Sequence, residues 1–301
     1  MSKEPIYSSL SASQEKSKSK LGLQDVILIS RPRFWMYVLG TFLVGMIAGG
    51  NPFLFSSTTV FTLLILALLF TFPANLFIYG VNDIYDYDTD VHNVKKEDYE
   101  GIVHPYQHKR LSLIIAISLI PFIPFILEWN AHLLWALAVF FFTGYFYSAL
   151  PLRAKVRPPL DILFSSIIYT SPALVGYFAT GHTSVEWFAV IGGLLWSFGM
   201  QTYSAVPDIE ADRKACINTL ATVLGQNRSL VFCLLAYMAA GIIGFFYIGP
   251  FSLLLGGVYS TIVILSIFRE SEIFKFYKYF PLINVFTGAA LFFYIFFETI
   301  L

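Results

Sequence analysis

What most limits the folds open to this chain is a succession of nine apolar runs. Each is close to the ~20 residues that a helix needs to cross the hydrocarbon of a bilayer. They fall at approximately 33–49, 59–81, 111–127, 132–149, 160–179, 186–206, 229–248, 251–268 and 279–299. Backbone groups in lipid must find partners within their own segment, so runs of this length form helices. The alternating segments of an outer-membrane barrel are not seen in the sequence. Charged residues make up 13% of the chain and mean hydropathy is +0.69, whereas a soluble domain carries about 25% charge. The expected fold class is therefore an all-α membrane protein of nine transmembrane helices. Residues 1–24 are expected to form a polar, mobile tail with no cleavable signal, and residues 25–301 one membrane domain.

Charge placement orients the bundle. All 19 Lys and Arg residues precede the first run or lie in the connections 2–3, 4–5, 6–7 and 8–9. The other connections have none, which by the positive-inside rule puts the N-terminus in the cytoplasm and the C-terminus outside. Of the 19 acidic residues, only Glu128, Glu186 and Glu298 fall on the outer side. Chemistry is thus expected at the cytoplasmic face. Cys216 and Cys233 offer neither a disulfide framework nor metal-ligand spacing. The formal net charge of zero gives no sign of a nucleic-acid partner.

Two acidic clusters end apolar runs on that face. The first is Asn82-Asp83-Ile84-Tyr85-Asp86-Tyr87-Asp88-Thr89-Asp90. Carboxylates are costly beside hydrocarbon. In helical geometry Asp83, Asp86 and Asp90 share a face and Asp88 points elsewhere. Like charges held together call for cations, and hard oxygen ligands suit Mg²⁺, which completes its shell with phosphate oxygens. The second cluster, Pro207-Asp208-Ile209-Glu210-Ala211-Asp212-Arg213-Lys214, occupies the same place after run 6, with Asp208 and Asp212 on one face and Glu210 turned away. Two such clusters across a cavity can bridge one diphosphate through metal ions. A third stretch, Tyr147-Ser148-Ala149-Leu150-Pro151-Leu152-Arg153-Ala154-Lys155, supplies cations suited to diphosphate oxygens. Lys95, Lys96, Arg213 and Lys214 are further candidates; each of these cations reads equally well as charge that sets topology.

Together N-D-x-x-D-x-x-x-D, Y-S-x-x-P-x-R-x-K and D-x-x-x-D-R-K resemble the UbiA-type intramembrane prenyltransferases over nearly the whole chain. The resemblance implies a helical bundle around a central cavity, and Mg²⁺-dependent transfer of a prenyl group from its diphosphate to a lipophilic acceptor. It implies that Asp83, Asp86, Asp90, Asp208 and Asp212 are metal ligands, and that Asp83, Asp86, Asp208 and Asp212 carry the catalysis. It also implies that Asn82, Tyr147, Arg153 and Lys155 serve the diphosphate. Ala211 and Cys216 stand where many members have glycine. Negative π faces would stabilise an allylic cation, and Tyr85, Tyr87, Tyr147, Tyr169 and Tyr203 lie near the expected cavity end. His92 stands close to the first cluster as a candidate supporting residue, and His104 and His108 lack a visible third ligand.

The quinone-forming branch often has an Arg-Pro pair after the first motif. Here His92-Asn93-Val94-Lys95-Lys96 stands instead, and with Ser30-Arg31-Pro32-Arg33-Phe34-Trp35 and Phe72-Pro73-Ala74-Asn75 it looks more like the carotenoid branch, the lycopene elongases. That implies dimethylallyl units added to the ends of lycopene. An aromatic acceptor is the alternative within the class. A transporter or lipid-binding scaffold with intramembrane carboxylates is the alternative outside it, disfavoured because the acids sit at run ends.

Overall fold

A computed structural model describes residues 21–87 and 102–301. Among the described residues there are helices and no strands, and eight helical segments are long and apolar enough to cross a membrane. The expected tail falls almost wholly outside the described residues.

The first segment starts at Leu23 rather than at residue 33, and it is built in pieces: α1 (Leu23–Ile29), a 3₁₀ turn (Pro32–Phe34) and α2 (Trp35–Ala48). Arg31 turns the chain between them at φ 51°, and Pro32 fixes the restart because its missing N–H is not needed at a first helical position. The Trp35 indole N–H donates to the Ser30 carbonyl at 3.0 Å and holds the corner.

The second run is also two helices, α3 (Ser57–Phe70) and α4 (Phe72–Tyr85), broken at Thr71. Pro73 cannot donate to the preceding turn. The Asn75 amide takes two of the exposed carbonyls instead, Phe70 O at 3.2 Å and Thr71 O at 2.6 Å. In the third run α5 (His108–Leu119) gives way to a 3₁₀ stretch (Ile120–Glu128) that contains Pro121 and Pro124.

There follow α6 (Ala131–Ser148), α7 (Leu160–Ala179) and α8 (Trp187–Ala205). Helix α8 forms where the sixth span was expected, yet it is not among the eight segments; Gly192, Gly193, Ser197, Gly199 and Gln201 dilute its apolar content. Two short helices come next, α9 (Ile209–Lys214) and α10 (Leu220–Leu224), and then α11 (Gln226–Ile248), α12 (Pro250–Phe268) and α13 (Ile273–Ile300). Gly249, at φ 58°, makes the hairpin between α11 and α12, so this pair is two antiparallel helices and not one broken span.

Helix packing follows small residues, as expected where lipid removes the hydrophobic drive for association. Helices α2 and α7 cross backbone to backbone: a Cβ on Gly45 would lie 1.9 Å from the Ala173 carbonyl oxygen, and one on Gly176 would lie 2.3 Å from that of Phe42. Helix α2 also packs on α13, α7 on both α6 and α8, and α8 on α11. Two apolar cores result. One gathers residues from Leu21 to Phe178, the other residues from Met200 to Phe280, and Tyr169 packs against both.

Candidate active site

The first two carboxylates of the first acidic cluster, Asp83 and Asp86, lie buried at the end of α4. Asp83 is 1% and Asp86 6% exposed, a burial that a carboxylate tolerates only when paired. The Arg31 guanidinium meets Asp83 Oδ1 at 3.0 Å and lies 4.6 Å from the centre of the Tyr79 ring, one helical turn below. Lys155, from the loop between α6 and α7, pairs with Asp86. Burial pushes the Lys155 ammonium down to a pKa of about 8, while Asp83 and Asp212 pull it upward. Lys155 therefore feels both acidic clusters at once.

Helix α4 ends at Tyr85 and Asp86 caps it with φ −108° and ψ 2°. Asp88, Asp90, His92, Lys95 and Lys96 lie outside the described residues. The Asn82 amide donates to Ser148 Oγ at 3.0 Å, tying α4 to α6.

The second cluster begins with a 3₁₀ turn, Val206–Asp208, that leads into α9. Asp208 and Asp212 are half-buried on one face, while Glu210 and Lys214 are exposed on the other. Arg213 is committed to the backbone, donating from Nη2 to the Thr222 carbonyl at 2.9 Å. Tyr147 is half-buried, with its hydroxyl under the influence of Asp161, Tyr169 and Asp212.

Among the described residues three that are not glycine have positive φ: Arg31 at 51°, Arg153 at 40° and Cys216 at 56°. Each sits beside one of the three motif stretches. A left-handed conformation disfavours any residue with a Cβ by roughly 1–2 kcal/mol, and such strain gathers where a site is held in shape. Cys216 is the position where glycine was expected, and its φ explains the preference; Ala211 is an ordinary helical residue.

Just inside the carboxylates lies a set of aromatic rings. The Tyr79 and Tyr169 hydroxyls are 3.2 Å apart, the Tyr37 and Tyr169 rings 5.7 Å, and Phe34 lies 5.5 Å from Tyr37 and 6.0 Å from Tyr79. Deeper still, the Asn284 amide donates to the Tyr37 hydroxyl at 2.8 Å and accepts from Tyr259 at 2.7 Å. Of the tyrosines expected near the site, Tyr147 and Tyr169 belong to it. Tyr85 pairs with Tyr145 at an exposed position, and Tyr203 is buried in the second core, bonded to Ser266.

The structure thus brings Asp83, Asp86, Tyr147, Lys155 and Asp212 into one neighbourhood. It adds Arg31, Tyr79 and Asp161, which sequence reasoning had not placed there. Arg31 read as topology-setting charge, because nothing in the sequence links it to a carboxylate 52 positions away.

The donors suit a hard divalent cation, being carboxylate oxygens with no sulfur or imidazole among the motif residues. Among the described residues no group of three His, Cys, Asp or Glu side chains forms a complete metal cage. A Mg²⁺ ion held here would draw further oxygens from its ligand, as this ion commonly does at phosphate sites.

The chain matches the model of the UbiA prenyltransferase family over residues 38–297. It is 36% identical over 267 residues to the lycopene elongase/hydratase of Haloarcula japonica, a match covering 88% of each chain. It is 40% identical over 211 residues to the lycopene elongase/hydratase of Halobacterium salinarum, covering 69% of this chain and 74% of the relative. Its fold is similar to that of a UbiA homologue from Archaeoglobus fulgidus bound to DMAPP and Mg²⁺, with a TM-score of 0.66 at 17% identity, covering 89% of this chain and 99% of that one. With multi-pass helices, paired acidic clusters and a family match over most of its length, the chain is an enzyme of the UbiA prenyltransferase family.

Proposed function

We propose that this prenyltransferase moves a dimethylallyl group from its diphosphate to an end double bond of a carotenoid such as lycopene, working with Mg²⁺ at the cytoplasmic face of the cell membrane. The observation that carries the acceptor is the match to lycopene elongase/hydratases, which for the Haloarcula japonica protein spans 88% of both chains. The pairing of buried carboxylates with Arg31 and Lys155 supports a diphosphate site. The restriction of basic residues to alternate connections supports its side of the membrane.

Asp83 and Asp86 form one half of a clamp and Asp208 and Asp212 the other; Asp90, a metal ligand by the first motif, lies outside the described residues. These carboxylates would hold Mg²⁺, which when bound supplies Lewis-acid stabilisation of the departing diphosphate. Arg31, Arg153 and Lys155 place positive charge where negative charge builds as the allylic C–O bond breaks. Lys214 is a further candidate cation; Lys95 and Lys96, candidates from the sequence, lie outside the described residues. Asn82 keeps α4 against α6 and so fixes the direction of Asp83. The rings of Phe34, Tyr37, Tyr79 and Tyr169 present π faces to the allylic cation and keep water away from it. The acceptor's end double bond then forms the new C–C bond. The tertiary cation left on the acceptor loses a proton or takes up water.

Purified protein in lipid nanodiscs, given dimethylallyl diphosphate, lycopene and Mg²⁺, is expected to yield pigments heavier by C5H8 units or their hydrates. Unchanged lycopene, alongside prenylation of an aromatic acid by longer diphosphates, would contradict the carotenoid assignment. Arg31→Gln is expected to raise KM for the diphosphate by roughly 10–100-fold, the scale of one or two charge-assisted hydrogen bonds. Kinetics at saturating acceptor check it, and an unchanged KM would remove Arg31 from the site.

A further inference from the structure

Among the described residues, Asp161 is the one buried carboxylate outside the acidic motifs, 6% exposed in the first turn of α7. Its Oδ2 accepts the backbone N–H of Leu220 at 2.6 Å, across 59 positions of sequence. Leu220 opens α10, and a first-turn N–H has no partner inside its own helix. The Thr219 and Thr222 side chains close the remainder of that helix start on each other: Thr222 N donates to Thr219 Oγ1 at 3.2 Å, and Thr219 N to Thr222 Oγ1 at 2.8 Å. From the same short helix the Thr222 carbonyl accepts Arg213 Nη2 at 2.9 Å. Arg213 is the neighbour of Asp212, and Asp161 is six positions after Lys155.

Helix α10 is therefore fastened twice. On one side it is tied to the start of α7, which follows directly on the loop that delivers Lys155 to Asp86. On the other it is tied to α9, which carries Asp212. Five-residue α10 has too few internal bonds to hold itself in place, so these two anchors, with its burial at Ala221 and its join to α11 through Gly225, determine where it sits.

We propose that Asp161 is a positioning residue: through Leu220, α10 and Arg213 it sets the second acidic cluster at the distance from Lys155 and the first cluster that a metal-bridged diphosphate requires. It touches neither substrate nor metal in this role. The proposal rests on the diphosphate-clamp reading of the site. It also gives Arg213 a function different from the one its sequence context suggests, that of a tie and not a phosphate ligand.

The test uses full-length protein in nanodiscs and two readouts. The first is the rise in melting temperature produced by Mg²⁺ with inorganic diphosphate, titrated in Mg²⁺. The second is steady-state transfer, separated into kcat and KM for the diphosphate donor. In Asp161→Ala the half-saturating Mg²⁺ concentration and the KM are expected to rise about tenfold each while kcat falls less than threefold. Asp161→Asn retains an oxygen that accepts the Leu220 N–H, and is expected to recover most of the loss. Arg213→Met is expected to show the same pattern. The double variant Asp161→Ala, Arg213→Met should be little worse than either single one, because both cut the same tie.

If the unsubstituted protein shows no Mg²⁺-dependent stabilisation by diphosphate, the clamp reading itself fails. If that stabilisation is present and Asp161→Ala leaves it unchanged, the positioning role is overturned. A fall in kcat alone, equal in Asp161→Ala and Asp161→Asn, would overturn it in favour of direct chemistry by the carboxylate. Effects of Asp161→Ala and Arg213→Met that multiply would show two separate devices, and would equally overturn it.

Discussion

Asp83→Asn is expected to lower kcat/KM for prenyl transfer by about 10³-fold, a loss on the scale of removing a preorganised charge from a transition state. The substitution keeps shape and volume and removes only charge. Asp83 is almost fully buried and meets Arg31 at 3.0 Å, in surroundings with little water to screen the change. Two consequences combine. On the proposed clamp, the site loses an oxygen ligand of full negative charge, which weakens its hold on a divalent cation. Arg31 loses the partner that aims it, so the guanidinium over Tyr79 is no longer held at the donor end of the clamp. Raising Mg²⁺ tenfold should recover part of the activity if metal affinity is the larger loss. Diphosphate release measured against Mg²⁺ concentration checks both statements, with far-UV circular dichroism confirming helix content. Release at the unsubstituted rate would remove Asp83 from the machinery.

Gly45→Ala is expected to be the most destabilising single-methyl change in the membrane bundle, costing about 3 kcal/mol, the upper part of the range for overpacked cores. The reason is the identity of the atoms that the new Cβ meets. They are backbone atoms of α7, the Ala173 carbonyl oxygen at 1.9 Å and its carbon at 2.5 Å. No rotamer change relieves them, so α2 and α7 must move apart. Because Gly176 makes the reciprocal approach to Phe42 and Met46, the whole crossing opens. That displacement reaches the site, since Phe34 and Tyr37 stand at the carboxylate end of this segment and Tyr169 on α7. Gly257 serves as the control, because a methyl group added there would meet nothing within 4 Å. Gly257→Ala should be neutral or stabilising by up to about 1 kcal/mol, as a helix interior prefers alanine. Thermal unfolding in detergent, read by circular dichroism and by the monodisperse fraction, separates the two. Equal melting temperatures would contradict the close crossing.

Much of the architecture was legible because lipid makes hydropathy an unusually direct signal. Apolar runs mark helices whether or not anything is known of their packing. The departures have local causes. Span 2 breaks at Thr71 because of Pro73, and span 3 ends in 3₁₀ geometry because of Pro121 and Pro124. The first membrane segment starts early because Leu23, Ile27 and Leu28 are apolar enough to extend it past the Arg31 corner.

The candidate site was legible where acids are concentrated in short motifs, as with Asp83 and Asp86, which the fold buries and pairs with cations. It was not legible where a function depends on distant residues meeting. Arg31 and Asp161 are single residues whose partners, Asp83 and Leu220, lie far along the chain. Nothing in a period or a spacing marks them. Arg213 is a further case: its place beside Asp212 suggested a phosphate ligand, and no spacing announces the bond from its Nη2 to the Thr222 carbonyl. The positive φ of Cys216 is a feature that the departure from glycine had flagged without revealing its form.

The most direct test of the clamp is equilibrium binding of dimethylallyl S-thiolodiphosphate, a donor analogue slow to ionise, to protein in nanodiscs with Mg²⁺. One site per chain is expected, lost on chelation. Asp83→Asn and Asp208→Asn should each weaken it by at least about tenfold, the scale of a lost charge-assisted contact, because one diphosphate is held from both halves. Binding that Asp208→Asn leaves unchanged while Asp83→Asn abolishes it would contradict a shared clamp and leave the second acidic cluster without a role in holding the donor.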